Sequence, residues 1–551
     1  MNMVLTTSSF IFPLITVPYV SRVIGPSGMG AISWAQTFVS YFSLVAVLGI
    51  NAYGIREVAK VRDDREKLSA LTQELMTILI ISTAITYAVF LAMTFTIPKA
   101  REDEPLMLIF SLSIWLTTCG INWFYQGIEQ YGYITARNLI FKVLGLMLMF
   151  AFVHQASDYR IYAVILIIGS TGSNLFNLIR LHKYVHFNLH RKLCLRRHFK
   201  SMFSFTISSI SSGMYGQLDM LFLGFIGTNV AMGLYQLVSK IRNIAGSAVN
   251  SVGSVMLPRL SYYESQENGH GKTAQLVAKN LNFLFIVGLL FIAGMVICAD
   301  PIILILGGNQ YLGARTALMV ISMTILFSPI NTILSQYIIA RGRERLYAII
   351  NLAGLLIGVI LCIVLIPKFG IVGAASASVG IEGGTLILRA CCVRDFLQEI
   401  REYLDFGRIT IAFAISFAIG AFVAHTSTGM NAFLQLILEA CALGIPYIVL
   451  LLLFKESFIQ STLLPWQLRK YSALPSIALR NLLTHLTSGC FHSSSPISPS
   501  DETSAKRGFE PPEPCGRLKN NGAPPLREPT MPQPMRICHA DSWLEYSFVL
   551  A

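Results

Sequence analysis

The fold is decided by residues 3–67, which read MVLTTSSFIFPLITVPYVSRVIGPSGMGAISWAQTFVSYFSLVAVLGINAYGIREVAKVRDDREK. Two apolar runs, 3–21 and 31–53, are separated by a short turn that carries Arg22, and a basic stretch follows them. Each run is about as long as the 20 helical residues that cross a hydrocarbon core, and a helix is required because it satisfies its own backbone polar groups. The stretch therefore predicts two transmembrane helices.

The same pattern continues for the next 400 residues. Twelve further apolar segments lie at 71–97, 105–127, 136–154, 161–180, 203–226, 231–256, 281–299, 314–340, 346–366, 371–391, 409–425 and 433–454. Of all residues, 54% are hydrophobic and only 13% are charged, whereas a soluble domain carries about 25% charged residues. We therefore expect an all-α membrane protein with about 14 transmembrane helices.

Positive charge alternates between successive connecting loops. With the N-terminus inside, the internal loops hold 23 Lys and Arg residues and the external loops hold six. Because cytoplasmic loops retain Lys and Arg, we expect a multi-pass protein of the bacterial inner membrane with both termini in the cytoplasm. This topology also explains the net charge of +13, so that membrane lipids are expected partners and nucleic acid is not.

The basic stretch LHKYVHFNLHRKLCLRRHFK at 181–200 divides six predicted helices from the next eight. It predicts an N-terminal lobe at 1–180, a cytoplasmic linker at 181–200, a C-terminal lobe of six helices at 201–391, and two additional helices within 392–470. His182, His186 and His190 recur every four residues, a spacing that a metal site can use. A juxtamembrane amphipathic helix resting on anionic lipid explains the basic residues better.

A short sequence repeat predicts duplicated halves: Ile24-Gly25 is followed by Gly30, and Ile226-Gly227 is followed by Gly233. The halves would be two six-helix bundles.

The two ends of the chain differ from the regular pattern. The first apolar run begins almost at Met1, so we expect that part of its natural start is missing. Residues 471–551 are rich in Ser, Pro and charge, which predicts a disordered tail or a segment foreign to the transporter.

Ionisable residues within membrane spans are costly and usually face an internal cavity. Asp219, Lys240 and Arg242 are the strongest candidates, on two consecutive predicted spans. In an antiparallel hairpin Asp219 would approach Lys240 or Arg242, and the pair would neutralise itself. The remaining positive charge would suit an anionic ligand such as a phosphate.

Other acidic and basic residues within the predicted spans allow less specific interpretations. Glu382 is the deepest glutamate and is our candidate for a coupling cation or proton. Lys142 is predicted to lie about one turn from the cytoplasmic end of its span and to snorkel to the interface. Glu439 lies on a late helix, outside the two predicted bundles.

Enzyme chemistry has no visible place in the sequence. The acidic trio at 102–104 is explained by a solvated connector, and the loops are too short for a catalytic domain. The ten cysteines have no disulfide or metal spacing, and no nucleotide-binding, nucleophile or zinc-protease motif is present. We expect a transporter that needs no cofactor or metal.

Four blocks resemble bacterial polysaccharide flippases of the O-antigen (Wzx-type) group. They are residues 10–64 of the stretch quoted above, INWFYQGIEQYGYITARN at 121–138, MGLYQLVSKIRNIAGSAVNSVGSVMLPRLSYY at 232–263 and IPKFGIVGAASASVG at 366–380. Their order and the predicted topology make the resemblance specific over about residues 5–455. It implies the multidrug/oligosaccharidyl-lipid/polysaccharide exporter superfamily, with two helical bundles around a central cavity.

The resemblance implies transport of undecaprenyl-diphosphate-linked oligosaccharide units to the periplasmic leaflet, with a polysaccharide polymerase and a chain-length regulator as further partners. Lys240 and Arg242 would contact the diphosphate, and Arg22 would meet it on arrival or would cap a helix. Sugars would contact Tyr215, Gln217 and the serines at 208, 209, 211 and 212. A cation-coupled drug exporter of the same superfamily and a membrane polymerase or glycosyltransferase are the alternatives.

Overall fold

The computed structural model describes residues 2–187, 193–199, 201–202, 206, 213, 215–250, 256–264, 266, 270–427 and 429–454. Every regular element within these ranges is helical. The predicted tail, His190 and the four serines at 208–212 lie outside the described residues.

The N-terminal half contains nine α-helices within its described residues. They are α1 Asn2–Val47, α2 Ile50–Val61, α3 Arg65–Thr96, α4 Pro98–Arg101, α5 Glu104–Gly120, α6 Asn122–Gly127, α7 Tyr131–Phe152, α8 Tyr159–Ile167 and α9 Asn174–Leu181. A 3₁₀ turn at Ala156–Asp158 precedes α8, and a π-helical turn at Ile168–Gly172 joins α8 to α9.

The described helices of the C-terminal half and of the additional segment continue this numbering. They are α10 Leu218–Ile226, α11 Asn229–Asn250, α12 Met256–Glu264, α13 His270–Ile297, α14 Ala299–Leu306, α15 Arg315–Ile321, α16 Thr324–Ala340, α17 Glu344–Cys392, α18 Arg394–Ile400, α19 Phe406–Thr426 and α20 Ala432–Leu453. Two further 3₁₀ turns lie at Asn309–Ala314 and Arg401–Tyr403.

Ten helices in the described ranges are long and apolar enough to cross a membrane. Two of them are about twice the usual length, and each bends at a glycine with positive φ: α1 at Gly25 (φ 74°) and α17 at Gly370 (φ 54°). Glycine adopts this left-handed backbone without a steric cost, so it allows one helix to end and the next to begin directly. The predicted all-α membrane fold is confirmed, while the exact number of fourteen spans stays a prediction.

The outer faces of the long helices are apolar. Ile85, Met147, Ile360 and Ile445 are each more than 60% exposed, although they lie on four different helices. Along α3, Ile81, Ile85 and Val89 recur every four residues and form one exposed apolar stripe, which a soluble protein rarely presents. Hydrocarbon around the protein covers these side chains instead, which is the arrangement that the low charge content requires.

The two halves meet where two glycines allow backbones to touch. A Cβ atom on Gly30 of α1 would lie 1.7 Å from the carbonyl oxygen of Asn229 at the start of α11. A Cβ atom on Gly233 of α11 would lie 1.9 Å from the carbonyl oxygen of Pro26. The glycines of the sequence echo therefore pack against the partner helix, so that each half supplies one side of this crossing.

The described part of the linker is bound to the N-terminal half. Buried Glu74 of α3 accepts hydrogen bonds from the backbone N–H of Cys194 (3.0 Å), Nη2 of Arg197 (2.5 Å) and Nε2 of His198 (2.8 Å). Nδ1 of His198 lies 2.7 Å from the Tyr53 hydroxyl. These bonds fix the linker to protein rather than leaving it free on the lipid surface.

Other linker side chains are apolar and buried. Leu181 and Val185, together with Met202 just after the linker, pack against the start of α3, in a cluster that includes Leu71 and Leu75. His182 and His186 follow the end of α9 in irregular backbone, so they do not share one helix face. We call the end of the molecule that carries the linker the linker side.

The additional helices α19 and α20 pack on each other and on α13. The Tyr447 hydroxyl donates to the carbonyl oxygen of Ile286 (3.1 Å). Glu439, fully buried on α20, accepts from Ser427 (3.0 Å) and Gln435 (2.8 Å). Both donors belong to the α19–α20 pair or to its connection, so Glu439 stabilises the packing of these two helices.

Candidate functional site

A cavity of about 340 Å³ lies among α10, α11, α16 and α17, and we call it the C-half cavity. Its lining residues are Tyr215, Gly216, Asp219, Arg242, Asn243, Gly246, Ser247, Thr324, Ile325, Ser328, Pro329, Ser378, Ile381 and Glu382. Four of the seven residues proposed from the sequence therefore line one space.

Asp219 is the most deeply held of these four. Its side chain is 5% exposed, and its Oδ2 accepts hydrogen bonds from the hydroxyls of Tyr235 and Ser378, both 2.5 Å away. Nη1 of Arg242 lies 3.6 Å from the same oxygen. The structure thus brings together the acidic and basic residues of the predicted hairpin, and Arg242 is the partner.

Glu382 faces the same cavity but has a different environment. Its Oε2 accepts from Nδ2 of Asn331 on α16, 2.7 Å away. Oδ1 of Asn331 in turn accepts from Nη1 of Arg389 (2.6 Å), whose Nη2 donates to Asn351 (2.7 Å). Asn331 therefore connects the carboxylate of the cavity wall with a buried guanidinium.

Tyr215 and Gln217 have different positions. The Tyr215 hydroxyl lies 3.2 Å from Oγ1 of Thr385, beside Glu382, and the ring lines the cavity. The Oε1 atom of Gln217 accepts a hydrogen bond from the Ser40 hydroxyl of α1, 3.1 Å away. Gln217 therefore lies at a contact between the halves and not on the cavity wall.

Lys240 does not line the C-half cavity, although it is only two residues before Arg242. Two residues correspond to a rotation of about 200° around an α-helix. The lining of the C-half cavity therefore includes Arg242 but not Lys240.

Arg22 stabilises the end of another helix. Its Nη2 donates to the carbonyl oxygens of Leu304 (3.1 Å) and Ile305 (2.7 Å) in the last turn of α14. The last carbonyls of a helix lack intrahelical partners. Arg22 satisfies two of them and thereby links α1 to the C-terminal half on the side opposite the linker.

The charge of the C-half cavity favours a cation over an anion. Two carboxylates, Asp219 and Glu382, face one guanidinium, that of Arg242, among hydroxyls such as those of Ser328 and Ser247. Within the described residues no group of three or more His, Cys, Asp or Glu side chains could hold a metal ion.

An apolar groove of about 390 Å³ lies on the other face of α11. It is lined by Leu14, Ile241, Ile244, Ala245, Leu290, Phe291, Gly294, Met295, Cys298, Ile302, Leu306, Leu436, Ala440, Leu443 and Gly444. The α11 helix thus has two distinct faces: Arg242, Asn243 and Ser247 face the cavity, and the apolar side chains face the groove.

The first 264 residues of the chain match a family model. Residues 1–264 match the family model described as polysaccharide biosynthesis protein. A protein named "Putative O-antigen transporter" of Escherichia coli (strain K12) is 25% identical over 374 residues, which cover 67% of this chain and 89% of that protein. The "Probable low-salt glycan biosynthesis flippase Agl15" of Haloferax volcanii is 23% identical over 243 residues, covering 43% of this chain and 51% of that protein. The resemblance to polysaccharide flippases is confirmed.

Two solved structures share the fold. The lipid II flippase MurJ in an inward closed conformation matches with a TM-score of 0.63 at 16% identity, covering 82% of this chain and 98% of that chain. An inward-facing multidrug resistance transporter of the MATE family, MOP superfamily, matches with a TM-score of 0.51 at 14% identity, covering 71% and 94%. At these identities the likeness establishes the transporter fold.

Proposed function

We propose that this chain is a flippase that moves undecaprenyl-diphosphate-linked oligosaccharide units from the cytoplasmic to the periplasmic leaflet of the bacterial inner membrane. The units would supply O-antigen, lipopolysaccharide or another surface polysaccharide. The names of the similar proteins support this proposal, and so does the shared fold.

One observation carries the proposal: a polar cavity and an apolar groove share the helix α11. A lipid-linked sugar is an amphiphile, whose glycan needs hydrogen-bonding walls and whose isoprenoid chain needs an apolar surface. Ser247 and Arg242 belong to the first surface, and Ile244 and Ala245 to the second. A single molecule lying across α11 would contact both.

The charged residues have separate roles in this proposal. Lys240, which is outside the lining of the C-half cavity, contacts the diphosphate. Glu382, with Asp219, holds a coupling cation or proton in the C-half cavity. When a cation neutralises Asp219, its attraction for Arg242 falls, and the guanidinium becomes available to the anionic headgroup.

The other sequence candidates act less directly. Tyr215 presents an aromatic wall to the cavity, where a sugar ring would pack. Gln217 belongs to the contact between the halves, and Arg22 caps α14. The linker side lies in the cytoplasm together with both termini, and a polymerase with its chain-length regulator uses the product in the periplasm.

A multidrug exporter is the second candidate, and one observation favours it. The C-half cavity contains two carboxylates and one guanidinium, so it does not have the positive charge that would disfavour a cationic drug. The apolar groove and the similar proteins favour the lipid-linked cargo. Drug susceptibility of the deletion strain separates these two functions.

Deletion of the gene tests the proposal. We expect the lipid-linked repeat units to accumulate on the cytoplasmic side and the surface polysaccharide to disappear, with both restored by an intact copy. Unchanged lipid-linked pools with increased sensitivity to cationic drugs would favour the exporter. Export of the lipid-linked units in a strain that lacks all other flippases would show that this chain suffices.

A further inference from the structure

One buried asparagine, Asn331 of α16, contacts Glu382 of the C-half cavity. Nδ2 of Asn331 donates to Oε2 of Glu382 (2.7 Å), to the backbone oxygen of Glu382 (2.9 Å) and to Oγ1 of Thr385 (3.2 Å). Oδ1 of Asn331 accepts from Nη1 of Arg389 (2.6 Å). Asn331 and Arg389 are each 5% exposed. The amide is therefore enclosed, with oxygens at one end and a guanidinium at the other.

The direction of this amide follows from the chemistry of its neighbours. A guanidinium has only N–H donors and no acceptor, so the oxygen end of the amide must face Arg389. The nitrogen end then faces Glu382. Reversing the amide would place its oxygen against the carboxylate and the backbone oxygen of Glu382, and its N–H groups against those of Arg389. Arg389 therefore fixes which end of Asn331 the carboxylate meets.

Arg389 is itself held in place by a second amide. Its Nη2 donates to Oδ1 of Asn351 (2.7 Å), a residue that is 8% exposed. Asn351 and Arg389 lie on opposite sides of the bend of α17 at Gly370. The guanidinium thus joins α16 to both arms of α17, so that its orientation is determined by three segments of helix and not by its own rotamer alone.

A donor that is fixed against Oε2 limits how Glu382 can bind a cation. A metal ion or a proton uses the same lone pairs of a carboxylate oxygen that accept a hydrogen bond. Because Nδ2 of Asn331 occupies Oε2 and cannot turn away, a cation in the cavity is left with Oε1. A carboxylate can bind a metal ion through one oxygen or through both, and the single contact is the weaker one. Transport requires a site that also releases its ion.

Other charges near Glu382 also act on a cation. The charged and titratable groups around it are Arg242 from α11, Asp219 from α10, Tyr215 from the segment before α10 and Arg389 from its own helix; α16 contributes the neutral amide. The two guanidinium groups disfavour a cation and the carboxylate of Asp219 favours it. An experiment must therefore separate the orientation of the amide from the charge of Arg389.

We propose that Arg389 is a positioning residue for cation coupling: it holds Asn331 as a permanent donor to Glu382 and thereby keeps cation binding at this carboxylate weak enough for release. Arg389 acts through Asn331, since it does not belong to the lining of the C-half cavity. The inference deepens the proposed function and rests on it, because it requires Glu382 as the coupling residue.

Thermal unfolding of the purified, full-length chain in detergent tests this inference, because a bound ion raises the unfolding temperature. Sodium ions, replaced by choline in the reference buffer, and protons are the two probes. The probe that stabilises the wild type but not Glu382→Gln identifies the coupling cation, and its half-saturating concentration is the readout. If neither probe does so, Glu382 binds no cation and the inference fails.

Asn331→Asp is the most direct variant. Aspartate has nearly the same shape and gives Arg389 a charged acceptor, so the protein should fold, but an acceptor now replaces the donor that faces Glu382. Two neighbouring carboxylates then share the cation. We expect the half-saturating cation concentration to fall at least tenfold, and export in inverted membrane vesicles to fall at least tenfold because release is slow. Asn51→Asp, the same change at an exposed residue of α2, should match the wild type.

Variants of Arg389 separate orientation from charge. Arg389→Lys keeps a group that can only donate, so cation affinity and export should stay close to those of the wild type. Arg389→Gln offers both a donor and an acceptor, which allows the Asn331 amide to turn, and it should raise the cation affinity at least threefold. Asn351→Asp neutralises the guanidinium and leaves its bond to Asn331 in place, so it should raise the affinity less than Arg389→Gln does.

Two outcomes would overturn the positioning role. One is an Asn331→Asp protein with the cation affinity of the wild type. The other is an equal rise of affinity in Arg389→Gln and Asn351→Asp, which would assign the effect to charge alone. If Arg389→Gln fails to fold, the first outcome still decides the matter, because Asn331→Asp retains the guanidinium and its partners.

Export in cells separates this inference from the proposed function. If deletion of the gene leaves the lipid-linked pools unchanged, the proposed function fails whatever cation the purified chain binds. If deletion causes accumulation but Asn331→Asp exports normally and binds the cation like the wild type, only the positioning role of Arg389 fails.

Discussion

The carboxylate of Asp219 lies 3.6 Å from the guanidinium of Arg242, and both side chains are largely withdrawn from solvent on the wall of the C-half cavity. Tyr235 and Ser378 donate to the same carboxylate oxygen. Because α10 carries the acid, α11 the base and α17 the serine, this one carboxylate joins three helices. Its protonation or neutralisation would change the contacts of all three together.

Asp219→Asn should therefore impair both stability and transport. Removing one partner of a buried ion pair leaves an uncompensated charge, which typically costs about 3–5 kcal/mol. We expect a lower thermal unfolding temperature and at least a tenfold loss of export, measured as accumulated lipid-linked repeat units. The double variant Asp219→Asn/Arg242→Gln should recover part of the stability but none of the export.

Asp63→Asn is the matched control, because the Asp63 side chain is 97% exposed. It should unfold and export like the wild type. If Asp219→Asn unfolds at the wild-type temperature, the pair contributes nothing to the packing of α10 against α11.

Glu382→Gln should separate coupling from folding. Glutamine retains a carbonyl oxygen that can accept the hydrogen bond from Asn331, so the link to Arg389 should survive. The charge that would attract a cation is lost. We expect normal protein levels, and export in inverted membrane vesicles that no longer responds to a proton or sodium gradient.

Asn331→Leu should instead disturb the structure at the same place. It removes the acceptor of Arg389 and the donor to Glu382 together, and each buried unsatisfied polar group costs about 1–3 kcal/mol. Glu344→Gln, at the exposed start of α17, should leave coupling and stability unchanged. A gradient response that persists in Glu382→Gln would remove Glu382 from the coupling mechanism.

Gly233→Val should separate the two halves at their closest crossing. Its Cβ atom would lie 1.9 Å from the carbonyl oxygen of Pro26, a distance that no rotamer change can relieve because the obstacle is backbone. We expect a cysteine introduced at Ser33, which is only 3% exposed about one turn from Gly30, to react faster with a membrane-impermeant thiol reagent. Gly407→Ala is the control, since a Cβ atom there would meet no other atom within 4 Å. Equal reactivity in both variants would contradict a tight crossing.

Hydropathy and the cost of buried charge were sufficient to find much of the candidate site. Asp219, Arg242 and Glu382 stood out because ionisable residues are rare in apolar spans, and all three line one cavity. Asn331 and Ser378 were missed, because neutral amides and hydroxyls are common in membrane helices and only their contacts distinguish them. Their role depends on which helices pack together.

Positions along and around a helix explain the other differences. Arg389 ends an apolar run and was counted as a loop charge, yet it is 5% exposed and bound to Asn331 and Asn351. Lys142 was placed near a helix end because the apolar run begins later than the helix, which starts at Tyr131. The separation of Lys240 from Arg242 follows from the helical period alone and could have been predicted.

The linker provides a last prediction, on the buried carboxylate of Glu74. Glutamine at this position would still accept a hydrogen bond but would lose its attraction for Arg197, and its amide could oppose a ring N–H of His198. We expect Glu74→Gln to loosen residues 193–199 from α3 and to raise the rate of tryptic cleavage after Arg197 at least fivefold in the purified chain. Glu66→Gln, an exposed residue of the same helix, should leave the cleavage rate unchanged. An unchanged rate in Glu74→Gln would mean that the apolar contacts of Leu181 and Val185, and of Met202 just after the linker, hold it without the carboxylate.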